Sequence, residues 1–414
     1  MTRRSLSFSS KALAAVAVLL GWLVLTSSAS TANVPLPTRL TQALAVPNVP
    51  ASSEGVVVVD LDSGKTAFAR NPDLPLAPAS NEKLALTYAA LKELGPDYEF
   101  RTEVLGDGWQ DGSIWHGSIV LKGFGDPTLT SLGLKRLANQ LARAGIQRVT
   151  GRLIADESFF DTVRTAPGWK ASFFLEECPP LSALVADGDL VGDRFALSPS
   201  ISAAAKFRQA LRARGITTGR ISVGTAAAGA APLAQVDSEP LADILTEMDH
   251  NSDNYVAELL LKGLGAEVGG GGTTAAGDAV VIRSLAAGGV PLTGVQIVDG
   301  SGLSLDDRLT ARAVASLLLL SWRDPDLHDV LWNALPVAGE SGTLQHRLLD
   351  GPAHGAVRAK TGTTDLASAL SGYASDRYAF SILQNGEPVS FYYARLAQDR
   401  VAQALARVAA ATSG

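Results

Sequence analysis

Cysteine and metal-binding patterns are what this sequence has least of. The 414-residue chain contains a single cysteine, Cys178, so it can form no intrachain disulfide. A nucleophilic thiol needs a nearby base and an electropositive setting, whereas Cys178 follows two glutamates and precedes two prolines, which indicates a packed thiol. The five histidines form no H-x-x-x-H pattern and no C-x-x-C pair exists, so neither a metal site nor a cofactor is expected.

Runs of like charge and long apolar runs are also scarce. The formal net charge is −6 and the basic residues form no cluster, so nucleic acid is not expected as a partner. After the first 32 residues, no stretch is long and apolar enough to predict a membrane span of about 20 residues. These absences favour a globular protein that does not bind nucleic acid and has no membrane span after residue 32.

The N-terminus has the pattern of an export signal. An apolar run over residues 12–25 follows three basic residues, Arg3, Arg4 and Lys11. Small residues then lead to an A-x-A-like cleavage site at residues 30–32. This pattern predicts a signal peptide over residues 1–32 and a periplasmic or otherwise extracytoplasmic protein. An uncleaved anchor is the alternative, and the choice between the general and the twin-arginine export routes stays open.

The remaining sequence predicts strands near both ends of the chain. Hydrophobic residues make up 46% of the composition, enough to bury a sizeable core. Valine-rich residues 55–59 and the return segment 66–70 predict two strands, and residues 80–94 predict a core helix. One helix is predicted over residues 241–264, and the C-terminal part predicts three strands and a long helix, at residues 356–360, 366–373, 377–383 and 391–411.

The middle of the chain has a different sequence pattern from the two ends. Between residues 99 and 240, short strand-like runs such as 118–121 and 148–154 alternate with turns rich in Gly and Asp, with helices predicted near 132–144 and 203–214. We therefore predict an α+β fold in which residues 33–98 and 241–414 form one domain. Residues 99–240 are predicted to be an inserted region of one or two small domains.

A serine and a lysine three residues apart open the first predicted core helix. Ser80 and Lys83 lie in the segment S-N-E-K, and residues three apart share one face of a helix. A serine needs an adjacent base to become a nucleophile, and a lysine can be that base when its pKa is depressed. Taken alone, an N-terminal capping serine followed by a solvated lysine explains the segment equally well.

Two further motifs favour the catalytic interpretation. Ser252 and Asn254 form the only S-x-N pattern, Lys360 begins the only K-T-G, and Ser80 is the only serine with a lysine three residues later. S-x-x-K, S-D-N and K-T-G together are the signature of penicillin-binding proteins and class A β-lactamases. Each motif occurs once and in the order of that signature, which chance rarely produces.

With these motifs the chain resembles the D-alanyl-D-alanine carboxypeptidase/endopeptidase group, the class C low-molecular-mass penicillin-binding proteins of peptidase family S13. The resemblance extends to residues 123–127 (G-F-G-D-P), 156–161, 167–169, 182–184, 299–304, 342–344 and 371–373. One departure is Asp187, where the family often has asparagine. The resemblance implies a β-lactamase/transpeptidase-like domain, an antiparallel sheet with helices, that carries a large insertion between its first and second motifs.

The resemblance also implies a role for each motif residue. Ser80 is expected to attack, Lys83 to accept its proton, and Ser252 to relay a proton to the leaving amine. Substrate binding is expected from the remaining motif residues: Asn254, Lys360, Thr361, Gly362 and Thr363. The expected substrates are peptidoglycan stem peptides, and β-lactams are expected to bind covalently to Ser80. Asp253 is expected to be structural.

Three alternatives stay open at this point. A β-lactamase or esterase of the same fold shares these motifs, although the Glu-x-x-x-Asn that class A β-lactamases carry after S-D-N is missing here. A catalytically silent wall-binding scaffold is disfavoured because all three motifs are intact. Carboxypeptidase and endopeptidase activities use the same residues, so the sequence does not tell which dominates.

Overall fold

A computed structural model describes residues 34–412 of the chain. The predicted signal peptide, residues 1–32, lies outside the described residues. Thirteen strands are described: β1 (Glu54–Asp60), β2 (Thr66–Arg70), β3 (Arg101–Asp111), β4 (Ile114–Gly123), β5 (Arg148–Val149), β6 (Leu153–Asp156), β7 (Leu190–Val191), β8 (Arg194–Phe195), β9 (Ile221–Val223), β10 (Ala231–Asp237), β11 (Val357–Thr364), β12 (Ala367–Ala374) and β13 (Tyr378–Asn385). Ten longer helices accompany them: α1 (Leu36–Ala43), α2 (Glu82–Leu94), α3 (Ser131–Arg143), α4 (Pro199–Arg212), α5 (Leu241–Asn251), α6 (Asn254–Val268), α7 (Thr274–Ala287), α8 (Ala311–Arg323), α9 (His328–Ala334) and α10 (Phe391–Thr412).

A five-stranded antiparallel sheet joins the two ends of the chain. Its strand order is β11-β12-β13-β1-β2, so the N-terminal β1 pairs directly with the C-terminal β13. The valine run explains why β1 is central: Val56 and Val58 face one layer, Val57 and Val59 the other, and all four are buried. A strand that is covered on both faces has a continuous run of apolar residues in its sequence. The five strands predicted near the two ends of the chain and the α+β class are confirmed.

Helices cover both faces of this sheet. On one face, α1 and α10 pack against Val58, Leu370 and Phe380. On the other face, a larger helical layer contains α2, α5, α6, α7 and α8. Helix α2 lies inside that layer with Leu84 and Leu86 fully buried, as the predicted core helix requires. The S-x-x-K motif, which begins in the turn before α2, therefore lies next to the edge strand β11.

One predicted helix is broken at a functionally important place. Residues 241–264 were expected to form a single helix, but α5 ends at Asn251 and α6 begins at Asn254. Ser252 adopts a left-handed conformation (φ 58°, ψ 41°), and the side chain of Asp253 accepts a hydrogen bond from the Val256 N–H at 2.9 Å. Asp253 therefore caps α6, which is the structural role expected for it.

Residues 99–240 build a second sheet with its own core. The order is β10-β3-β4-β6-β9, with β5 also paired to β4. Helices α3 and α4 cover it and share a cluster that includes Val104, Ile119 and Phe207. The strand predicted at 148–154 is two short strands, β5 and β6, which pair in parallel with β4 on either side of residues 150–152. The division of the chain into domains at these boundaries stays a prediction.

Within residues 34–412, every helix is too short or too polar to cross a bilayer. The longest, α10, instead packs its apolar side on the main sheet.

A buried ion pair links the inserted region to the helical layer. Lys262 on α6 is fully buried, and its ammonium donates to Asp161 Oδ1 at 2.5 Å and to the Val163 carbonyl at 2.9 Å. Asp161 belongs to the inserted region and is 30% exposed. Because an ammonium left alone in an apolar interior is costly, this contact holds the segment around residue 161 against α6.

Removing the carboxylate should destabilise the protein strongly. We expect Asp161→Ala to lower the free energy of unfolding by about 3 kcal/mol, since it leaves Lys262 buried and uncompensated. The matched variant Lys262→Met removes the charge but keeps the volume, so its stability should stay near that of the wild type. Urea denaturation of the three proteins measures the difference. An Asp161→Ala variant as stable as Lys262→Met would contradict the role of the pair.

Candidate active site

Ser80 lies in a tight turn immediately before α2. The turn spans Ala79–Asn81, and Ala79 has a φ of 47°, a strained value for a residue with a side chain. Asn81 stabilises the turn by donating a hydrogen bond to the Lys360 carbonyl at 3.1 Å. Gly362 packs against the same turn, where an added Cβ would lie 2.8 Å from the Pro78 carbonyl oxygen. The missing side chain at 362 therefore lets strand β11 approach the turn that presents Ser80.

Lys83 lies directly behind the serine and is fully buried. Its ammonium donates to Ser80 Oγ at 3.3 Å, to Asn254 Oδ1 at 2.8 Å and to the Ser301 carbonyl at 2.7 Å. Three acceptors hold the amine in one position, and burial lowers its pKa. A held lysine of depressed pKa beside a serine is the arrangement that general-base activation requires.

The second lysine of the site lies next to Ser252. Lys360 is fully buried in β11, and its ammonium donates to Ser252 Oγ at 2.8 Å and to the Thr361 carbonyl at 3.1 Å. Burial, reinforced by the nearby charge of Lys83, lowers the pKa of Lys360 to about 7. The break between α5 and α6 is what turns Ser252 toward this ammonium.

Two buried carboxyls organise the loop that contacts Lys83. Asp299 accepts hydrogen bonds from the Gly302 N–H at 2.6 Å and the Ser304 N–H at 2.8 Å. Glu258 accepts from the N–H groups of Gly300 and Ser301 at 3.1 and 2.9 Å, and burial raises its pKa to about 8. These bonds orient the Ser301 carbonyl toward Lys83. In the sequence, residues 299–304 were noted only as part of the family resemblance. Their role in holding the Lys83 amine was not predicted.

The motif residues surround one cavity of roughly 450 Å³. Five of the eight predicted site residues line it, namely Ser80, Ser252, Asn254, Thr361 and Thr363. The other three support it from below: Lys83 and Lys360 are buried beneath the cavity, and Gly362 packs on the serine turn. The structure therefore brings all eight residues to one place from three distant parts of the chain.

Sequence reasoning did not identify the rest of the cavity wall. The additional lining residues are Glu177, Leu303, Thr343, His346, Arg347, Thr364 and Arg395. Thr361 Oγ1 donates to Thr343 Oγ1 at 2.7 Å, so Thr343 orients a predicted substrate-binding hydroxyl. In the sequence, the G-T-L segment at residues 342–344, which is part of the family resemblance, could have pointed to Thr343. Neighbouring Cys178 is fully buried and burial raises its pKa, so it is a packed thiol as predicted.

The geometry defines a class of enzyme. A serine at a helix start, a buried lysine in hydrogen-bonding reach of it, and a second lysine paired with another serine can form and hydrolyse an acyl-enzyme. This arrangement is that of a serine hydrolase of the penicillin-binding type.

The chain belongs to the D-Ala-D-Ala carboxypeptidase 3 (S13) family, whose model matches residues 36–193 and 194–409. It is 33% identical to the D-alanyl-D-alanine carboxypeptidase of Actinomadura sp. (strain R39), over 82% of this chain and 79% of the relative. It is 31% identical to carboxypeptidase DacB of Mycolicibacterium smegmatis, over 84% of this chain and 80% of the relative.

Solved structures show the same fold. The crystal structure of penicillin binding protein 4 (dacB) from Haemophilus influenzae matches with a TM-score of 0.77, covering 92% of this chain and 99% of that one at 22% identity. The predicted family, the predicted fold and the predicted enzyme class, a serine-type D-Ala-D-Ala carboxypeptidase, are thus confirmed.

Proposed function

We propose that this enzyme is exported and cleaves the D-alanyl-D-alanine bond of peptidoglycan stem peptides through an acyl-enzyme on Ser80. The observation that carries the proposal is the buried Lys83 ammonium, 3.3 Å from Ser80 Oγ and held by Asn254 and the Ser301 carbonyl. Related enzymes named D-alanyl-D-alanine carboxypeptidase support the substrate class.

Acylation uses the first two motifs. Neutral Lys83 accepts the hydroxyl proton while Ser80 Oγ attacks the carbonyl carbon between the two D-alanines. The backbone N–H groups of Ser80 and Thr363 form the oxyanion hole in this proposal, and each such donor is worth about 10²–10³ in rate. Ser252 relays the proton that Lys83 accepted to the departing amine, so the C–N bond breaks, free D-alanine leaves and Lys83 is neutral again. Water then attacks the ester carbonyl while Lys83 accepts its proton, and this proton returns to Ser80 Oγ as the ester bond breaks and the shortened peptide leaves as a carboxylic acid.

Substrate binding uses the third motif and the cavity wall. Lys360, when charged, attracts the C-terminal carboxylate, and the Thr361 hydroxyl hydrogen-bonds it. Asn254 binds the peptide backbone and also holds Lys83 through its Oδ1. A β-lactam presents a similar carboxylate next to a strained amide, so it acylates Ser80 in the same way. A crystal structure of penicillin binding protein 4 (dacB) from Haemophilus influenzae in complex with a novel β-lactam supports this part of the proposal.

The proposal is tested by measuring which bond is cut. Chain lacking residues 1–32 is incubated with diacetyl-Lys-D-Ala-D-Ala, with the same peptide ending in L-alanine, and with a chromogenic cephalosporin. We expect D-alanine release from the first peptide, release from the L-alanine peptide at least about 100-fold slower, and slow cephalosporin turnover. Covalent labelling by a fluorescent penicillin is measured in parallel.

Each alternative has its own outcome in this experiment. Cephalosporin turnover that exceeds peptide turnover would favour the β-lactamase reading. Penicillin labelling without D-alanine release, combined with cleavage of a cross-linked peptide dimer, would assign endopeptidase activity. The absence of both labelling and turnover would leave a wall-binding scaffold and refute the proposed reaction.

A further inference from the structure

The hydrogen bonds of the Lys83 amine determine where its lone pair points. A neutral lysine amine has two N–H groups and one lone pair. Its two closest contacts, Asn254 Oδ1 at 2.8 Å and the Ser301 carbonyl oxygen at 2.7 Å, can only accept hydrogen bonds. These two oxygens take both N–H groups, so the lone pair is left for the third contact, Ser80 Oγ at 3.3 Å. The position of the Ser301 carbonyl therefore affects how well the base is directed at the nucleophile.

This carbonyl belongs to residues 299–304, which we call the Ser301 turn. The turn folds around the carboxyl group of Asp299, which is fully buried and accepts hydrogen bonds from two N–H groups and one hydroxyl of the turn itself. A further donor comes from the inserted region, where Trp169 Nε1 donates to Asp299 Oδ2 at 2.8 Å. Trp169 thus links the centre of the turn to a segment 130 residues away in sequence.

Two further contacts hold the segment around Trp169 on the turn. The Leu305 N–H donates to the Gly168 carbonyl at 3.1 Å. Gly168 has a φ of 73°, and a Cβ added to it would overlap Ser304 Oγ, so glycine is what allows this close approach. The half-buried Trp169 ring packs against an apolar cluster that contains Leu303, a cavity-lining residue of the turn. The segment and the turn therefore form one packed unit next to the cavity.

We propose that Trp169 is a positioning residue for the catalytic base. Its indole N–H holds the Asp299 carboxyl, and this carboxyl holds the Ser301 turn. The Ser301 carbonyl then orients the Lys83 amine toward the nucleophile. The inference rests on the proposed function, in which neutral Lys83 accepts the Ser80 proton. Because the cavity is lined by other residues, Trp169 affects the reaction only through the turn.

The expected effect is on the covalent step and not on binding. Trp169→Phe removes the donor but keeps an aromatic ring, and Asp299 retains the donors of the turn itself, so the turn stays folded and is free to shift. Since a misplacement of about 1 Å can cost about 10²-fold in rate, a smaller shift should lower the acylation rate about 10-fold. Ligand binding before that step uses Lys360 and Thr361, so its dissociation constant should change less than about 2-fold.

The test is stopped-flow acylation by a fluorescent penicillin at several concentrations, which separates the acylation rate from the affinity of the first complex. Trp115→Phe is the matched control, because Trp115 also lies in the inserted region and its indole N–H donates to the Ser118 carbonyl at 3.2 Å. Both variants lose one indole hydrogen bond, but only Trp169→Phe should acylate slowly. Equal rates in the two variants, or a loss of affinity in place of rate, would overturn the proposal.

A double variant shows whether the effect passes through Lys83. In Lys83→Met the amine is absent, so adding Trp169→Phe should change the remaining acylation rate less than about 2-fold. Two residues that act through one group are not additive in their effects, whereas independent ones are. A further 10-fold loss in the Lys83→Met background would show that Trp169 supports the site in another way, and would refute its role in positioning the base.

Thermal melting reports folding, and Gly168→Ala decides the question if Trp169→Phe does not fold. Its methyl group displaces the segment from Ser304 but keeps the indole, so acylation should be slow with unchanged affinity. Failure of both variants to fold would overturn the proposal, because the contact would then serve the fold. If the wild type neither binds penicillin nor releases D-alanine, the proposed function fails. An active wild type with an equally fast Trp169→Phe variant refutes the role of Trp169 alone.

Discussion

Replacement of Ser80 by alanine should abolish both D-alanine release and covalent penicillin binding. Ser80 Oγ is the hydroxyl oxygen that Lys83 contacts at the cavity, and Ser80 lies in the turn immediately before α2. Loss of a catalytic serine in a serine hydrolase lowers kcat on the order of 10⁶-fold. Mass spectrometry of the intact protein after exposure to penicillin measures the adduct, and a digest locates it.

The control for this variant is Ser113→Ala. Ser113 is exposed in the turn between β3 and β4, away from the cavity, so its loss should leave labelling and turnover as in the wild type. An adduct of full yield on Ser80→Ala, or one mapped to another residue such as Ser252, would show that the nucleophile has been assigned wrongly.

Lys83→Met should have the second-largest effect. Methionine keeps much of the lysine volume but cannot accept the Ser80 proton, and general-base catalysis contributes about 10²–10⁴ in rate. We therefore expect the second-order rate constant for penicillin acylation to fall about 10³-fold or more. Folding should survive, because replacing a buried charge by an apolar side chain of similar volume is often tolerated. Stopped-flow labelling and thermal melting measure the two quantities.

The pH profile distinguishes a base from a structural lysine. Burial lowers the pKa of Lys83, which increases its neutral fraction near neutral pH. The wild-type rate should therefore rise with pH as Lys83 loses its proton. Lys83→Met should lose the rising limb. Lys262→Met, another fully buried lysine, serves as control and should keep the whole profile; a rising limb that persists in Lys83→Met would contradict the assignment.

The parts of the fold that were predicted correctly follow from patterns among neighbouring residues, such as hydrophobic periodicity. The valine run at 56–59 predicts a strand buried on both faces, and the structure places it in the centre of the main sheet. The long apolar pattern over residues 391–411 predicts the helix that packs on that sheet. The break at Ser252 was missed because no Gly or Pro marks it. Asp253 was the available signal, since an aspartate before an apolar run is a typical helix cap.

The burial of three acidic residues could not be predicted from their neighbours in sequence. Asp249, Glu258 and Asp299 are fully buried in the structure, whereas an acidic residue in a helical or loop pattern is ordinarily expected at the surface. Their burial depends on which elements pack above them, and neighbours in sequence do not encode that. The same holds for Thr343, which reaches the cavity because the 3₁₀ turn at residues 342–344 packs between α5 and β11.

The sequence by itself predicted the catalytic residues and the proximity of Ser80 to Lys83, because residues three apart on a helix share one face. It also determined the family through three motifs in order. Only the tertiary structure decided that Lys360 would donate to Ser252, 108 residues away, and that Thr87 on α2 would donate to the buried Asp249 on α5. Contacts between distant segments arise from the packing of whole helices and strands, and the charge state of a buried group depends on that packing.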